Sequence, residues 1–158
     1  TDVSRQGGVI QQAGLHNNHI LGSEFDSGGA GIITAVPEYA KLLAAIANGG
    51  RCANGEQLLS PYTIDLWRTN QLSDDQRVTF TWPQLKGYGY GLGVRTMTDR
   101  AAGGSNSPVG EFGWGGAAGA VACIDTENHI SLFYAHHMLN NQEAYVLPRL
   151  RNVLYACF

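Results

Sequence analysis

An α+β fold, in which an antiparallel meander of strands carries flanking helices, is what the sequence predicts. Three observations lead there. Tyr39, Leu42, Leu43 and Ile46 recur at helical spacing. From Gly87 onward the period changes to two, with Tyr88, Tyr90, Leu92 and Val94 alternating with glycines and Arg95. Two apolar runs, Ala120 to Asp125 and His129 to His136, are joined through Thr126, Glu127 and Asn128 as a hairpin would be.

The elements follow in order. Thr1 to Ser27 is polar and weakly patterned, which reads as a surface-crossing segment. The first helix is capped at Thr34 or Ala35, has Pro37 and Glu38 in its first turn, and stops at Gly49-Gly50. The second starts on Ser60 as N-cap with Pro61 at the first helical position. Ile64, Leu66 and Trp67 supply its apolar side, and it ends near Asn70. Ser73 to Gln84 reads as a loop, Tyr88 to Val94 as one strand, Asp99 to Pro108 as a loop, and Glu111 to Trp114 as a short strand. A last helix is predicted from about Leu147, with Leu147, Leu150, Val153 and Leu154 on one face and Pro148 near its start.

The 158 residues suit one domain, or part of one. Charged residues make up 15% of the chain, low against about 25% for globular proteins. With apolar residues at 44% and in periodic runs, disorder does not explain this. A surface covered by a partner, or by the rest of a longer polypeptide, does. Thr1 in place of an initiator Met leaves room for a removed leader or upstream segment. A net charge of -3, with Lys41 and Lys86 the only lysines, excludes a basic nucleic-acid surface. No apolar run approaches the ~18 residues of a membrane span. Cys52, Cys123 and Cys157 have no metal-like spacing; small buried hydrophobes are expected, with a disulfide pair as the alternative.

Glycine is the outlier, at 21 of 158 residues. The segment Gly113-Trp114-Gly115-Gly116-Ala117-Ala118-Gly119 concentrates it. After Trp114 there is almost no side chain to shield the backbone amides, the condition an oxyanion hole requires. The same letters also fit a glycine-rich bend around a core tryptophan. His136 and His137 cannot share one face of a strand. His16 and His19 have metal-like spacing only in a helix, which Gly14 and Gly22 argue against. No motif for a metal or cofactor is present.

Three stretches resemble the C-terminal part of the serine β-lactamase-related family, which includes class C β-lactamases, D-alanyl-D-alanine peptidases and esterases. They are Gly28 to Tyr39; Leu58 to Pro61 with Leu66 to Leu72; and Tyr88 to Val94 followed by Gly110 to Gly119. The resemblance implies that Trp114-Gly115-Gly116 takes the place of the family's K-T-G-like triad, lining the substrate site. It further implies that the Ala117 N–H is an oxyanion-hole donor. An indole where the family carries a cation cannot pair with a substrate carboxylate, so carboxylated substrates are less expected.

The family's nucleophile is absent. Ser4, Ser23, Ser27, Ser60, Ser73, Ser105, Ser107 and Ser131 all lack the Lys three residues on that S-x-x-K demands. No Tyr is followed two positions later by Asn or Ser. The resemblance therefore implies the C-terminal portion of a serine hydrolase acting through an acyl-enzyme on a small ester or amide, β-lactams and peptides included. Such a chain would be inactive alone, its partner being an N-terminal segment or companion chain that carries S-x-x-K. The alternative is a non-catalytic ligand-binding or regulatory module.

Overall fold

The computed structural model describes residues 3–6, 9–12, 28–29, 32–138 and 142–158. His16 and His19 lie outside the described residues. The polar N-terminal segment contains a hairpin, β1 (Val3–Gln6) and β2 (Val9–Gln12), paired antiparallel with Val3 opposite Gln12.

The first two helices form where their end signals put them. Helix α1 (Val36–Ala47) has Ala35 as its N-cap and buries Leu43, Ala45, Ile46 and Ala47. At its end the Gly50 N–H donates to Ala45 O at 2.8 Å. In α2 (Pro61–Arg68) the Ser60 hydroxyl accepts the Tyr62 N–H, and Ile64 is buried. Helix α1 lies on the last two strands of the main sheet, where Tyr39 meets Phe133 edge-on at 4.7 Å. One core cluster results, joining Leu43, Ile46 and Ile64 to Val94, Phe112 and Ile124.

That sheet is a five-stranded antiparallel meander. Its strands are β3 (Tyr88–Tyr90), β4 (Arg95–Met97), β5 (Phe112–Gly113), β6 (Val121–Asp125) and β7 (Ile130–Tyr134). The α+β expectation holds, with one strand more than the alternation suggests. Tyr88 to Val94 is not a single strand: the chain reverses between Tyr90 and Arg95, which pair across β3 and β4. Gly93, at φ +84°, makes the reversal, and the Gly91 N–H donates to Val94 O at 2.7 Å. Mutual bonds between Trp67 and Leu92 hold this turn on the end of α2: Trp67 Nε1 donates to Leu92 O, and Leu92 N to Trp67 O.

Both predicted loops contain helix. Helix α3 (Asp74–Thr79) is nucleated by a capping box, in which Gln76 N donates to Ser73 Oγ at 3.4 Å and Ser73 N to Gln76 Oε1 at 2.9 Å. It buries nothing, so no apolar period announces it. The single-turn α4 (Arg100–Gly103) is capped by the Asp99 carboxylate, which accepts the Ala101 and Ala102 amides. The last helix, α5 (Glu143–Tyr155), begins upstream of its predicted start and takes Pro148 inside. The missing proline N–H leaves the Ala144 carbonyl without its helical donor. The next turn is braced by Arg149, whose Nη1 donates to Tyr145 O at 2.8 Å and whose guanidinium lies 3.6 Å from the Tyr145 ring centre. The buried face of α5 carries Leu147 and Arg151, whereas Val153 is exposed. The three cysteines are free, and only Cys123 is buried.

Candidate active site

Strand β5 sits mid-sheet, with Gly113 opposite Arg95 of β4 and Phe112 opposite Ile124 of β6. Beyond Gly113 the pairing with β6 continues as a narrow hairpin. Ala122 N donates to Trp114 O at 2.9 Å, Gly115 bridges to Val121, and Gly116 N donates to Ala120 O at 2.7 Å. The Gly119 N–H returns to Gly116 O at 2.8 Å, closing a loop of Ala117, Ala118 and Gly119. A three-residue hairpin loop of this kind needs a left-handed residue in third place, which Gly119 supplies at φ +98°.

These bonds sort the amides. The Gly116 N–H is spent inside the hairpin, so the bare backbone after Trp114 is not uniformly available. Among the described residues the Ala117 N–H has no acceptor, and Ala117 is exposed at the hairpin tip. Trp114 is half-buried and meets Tyr90 edge-on at 5.3 Å, while Trp82 stands 60% exposed nearby. Trp114, Gly115, Trp82, Leu147, Glu143 and Arg95 all line a cavity of about 40 Å³. A larger groove of about 320 Å³ between α3, β3 and α4 contains none of the predicted site residues in its lining. Among the described residues there is no cluster of metal-ligating side chains, and no helix is long and apolar enough to cross a membrane.

Behind Gly113 lies a cluster of charge that the sequence pattern did not disclose. Glu111 is 0% exposed, and Arg95 and Arg151 are each 2% exposed. Tyr88 Oη donates to Glu111 Oε2 at 2.6 Å. Arg95 Nη2 lies 3.5 Å from Glu111 Oε1, and Arg151 Nε lies 3.9 Å from Glu111 Oε2. Both guanidinium carbons stand 5.2 Å from the centre of the Tyr88 ring. One carboxylate thus serves two guanidiniums, and among the described residues Arg95 Nε with Arg151 Nε and Nη2 finds no hydrogen-bond partner. The signal that could have revealed Arg151 is its i, i+4 spacing from Leu147. A charged residue on that face looks like the solvated side until the acceptor, on a distant strand, is known.

Burial, and next the Glu111 carboxylate, raise the Cys123 thiol above its usual range. The same two causes in the same order raise the Tyr88 hydroxyl. In both cases the folded state holds its proton more tightly than the unfolded chain does. The stability this contributes is complete below the unfolded values, about 8.5 for Cys and about 10 for Tyr, and is lost as pH rises beyond them. Thermal unfolding is therefore expected to be level in this respect from neutral pH to about 8.5 and to weaken above it. The Cys123→Val variant should move the onset toward about 10. An unchanged onset in melting curves would show that Cys123 does not contribute.

This architecture, a five-stranded antiparallel sheet with flanking helices, is the C-terminal part of the serine β-lactamase/transpeptidase fold. Among solved structures, the simvastatin synthase LovD from Aspergillus terreus matches with a TM-score of 0.77 at 18% identity, over 99% of this chain and 42% of that one. EstCE1, a hydrolase with promiscuous acyltransferase activity, matches with a TM-score of 0.72 at 18% identity, over 98% of this chain and 43% of its own. A penicillin-binding protein homologue from Caulobacter crescentus matches at 0.55 and 20% identity, over 77% of this chain and 31% of that one. In sequence the chain is similar to Protein Rv1367c and the uncharacterized protein MT1414, from two strains of Mycobacterium tuberculosis. Each is 29% identical over 124 residues, or 73% of this chain. The chain spans only 30% of the length of these relatives. No family model matches it.

Proposed function

We propose that this chain forms one wall of the active site of a serine hydrolase that passes an acyl group through an acyl-enzyme. The Ala117 N–H is the oxyanion-hole donor, and Trp114, Gly115 and Gly116 line the substrate site. The observation that carries this reading is the acceptor-free Ala117 amide at the tip of the β5–β6 hairpin, beside Trp114. An amide held there can receive the negative charge that develops on a carbonyl oxygen under attack. One of the structural relatives is described as a hydrolase with promiscuous acyltransferase activity, which supports acyl chemistry. An indole in place of a cation favours a neutral ester or amide over a carboxylated one.

The chain is then a partial domain, and the nucleophile comes from an N-terminal segment or companion chain bearing S-x-x-K. Its surface fits this arrangement. Ile32 and Ile33 are 72% and 84% exposed ahead of α1, and Tyr62 and Leu66, one helical turn apart on α2, are 85% and 59% exposed. Exposed apolar pairs of this kind suit a surface that another segment covers.

The test compares this chain with the polypeptide that contains it and the upstream nucleophile. On a chromogenic ester the longer polypeptide is expected to give an initial burst stoichiometric with enzyme, and a serine-reactive phosphonate should label its S-x-x-K serine. The chain alone should do neither. Turnover by the isolated chain would overturn the assignment of the nucleophile to another segment. An upstream sequence without S-x-x-K would leave the ligand-binding alternative in its place.

A further inference from the structure

The hairpin tip that presents Ala117 is small and exposed, yet an oxyanion donor must be held to within about 0.5 Å of its working position. Two hydrogen bonds close the loop from within, and neither prevents it from tilting as a unit. The outside support comes from the segment that follows β7. Met138 N donates to Ala118 O at 3.0 Å. The His136 ring lies directly against Gly119, so closely that a Cβ on Gly119 would collide with Nε2 and its neighbouring ring carbons. The ring also meets Tyr134 edge-on at 5.1 Å. Among the described residues His136 Nδ1, which is buried, has no hydrogen-bond partner, so packing keeps the ring in place there.

We propose that His136 is a positioning residue, packed against both Tyr134 and Gly119 so that the Ala117–Gly119 loop is held at the angle that presents the Ala117 amide. The proposal rests on the reading of Ala117 as oxyanion donor. His136 fills the space that the absent Gly119 side chain leaves, so ring and glycine form one contact. With the ring removed, the loop loses its wall on that side and keeps only the Met138 bond.

The experiment has two arms. In the 158-residue chain, amide hydrogen exchange is compared for the parent, His136→Ala and His136→Gln, whose side chain reaches about as far as Nε2. In His136→Ala, protection of the Gly119 and Met138 amides should fall about tenfold or more, while that of Ala122, deeper in the hairpin, stays within twofold. His136→Gln should restore most of it. In the polypeptide that carries the nucleophile, His136→Ala should lower kcat for an ester about 10- to 100-fold with KM nearly unchanged, and His136→Gln should recover much of the loss. Exchange at Gly119 and Met138 within twofold of the parent would overturn the proposal. So would a loss of protection with kcat unaltered. If the parent polypeptide turns over no ester, the functional reading falls, and the exchange arm alone decides whether His136 holds the loop.

Discussion

Replacing Glu111 with Gln is expected to lower stability by about 3–5 kcal/mol, the cost of leaving buried charge uncompensated. For a chain of this size that corresponds to a fall in Tm of about 10 °C. The Glu111 side chain is 0% exposed and faces two guanidiniums that are themselves buried. Arginine does not deprotonate to escape burial, so removing the carboxylate leaves two cations, each 5.2 Å from the centre of the Tyr88 ring, without their shared counter-charge. Arg151→Met should cost much less. It balances the charge at one to one, removes donors that have no partner, and keeps an apolar stem for packing. Urea denaturation of the two variants gives the comparison. Equal losses would mean that packing around Arg151, and not the excess of positive charge, governs this part of the core.

Ala117→Pro should leave the fold intact and abolish most of the activity of the complete enzyme. Proline is favoured in the second position of a β-turn, which Ala117 occupies between Gly116 and the Gly119 amide that closes the loop. Gly116 before it still pairs with Ala120 across the hairpin, and as a glycine it adapts readily to the extended backbone that a residue preceding proline prefers. The substitution therefore removes the N–H and little else. Loss of one oxyanion donor predicts a drop of about 10²- to 10³-fold in kcat. Melting temperature and kcat measured on the same preparation separate the two effects. A folded Ala117→Pro enzyme with undiminished kcat would exclude Ala117 as the donor.

Those parts of the fold that rest on local chemistry were legible in the sequence. Ser60-Pro61, the Tyr39 to Ile46 period and the two runs of the β6–β7 hairpin each carry their own signal, and the structure has α1, α2 and the hairpin there. Helix α3 was missed because it buries nothing; only Ser73 and Gln76, three residues apart, announce it. The Tyr88 to Val94 alternation continued through Gly91-Leu92-Gly93, where Trp67, far away in sequence, decides that the chain turns. Pro148 misplaced the start of α5 because propensity weighs a proline against the helix. The buried Leu147 and Arg151 outweigh it. At the site, the identity of the glycine-rich segment was visible. Which of its amides stays free was not, since that depends on the register of β6 against β5, set by Phe112 opposite Ile124.

The buried charge cluster has a consequence for the order in which the chain takes shape during synthesis. Arg95 and Glu111 belong to the sheet region, but Arg151 arrives on α5, after the last strand has been made. Until α5 emerges and docks, the Glu111 carboxylate and Arg95 lack the cover and the second cation that α5 brings. The strand that presents Ala117 is therefore finished by residues translated well after it, and a ribosome-bound intermediate ending before α5 would have the wall in outline without its backing.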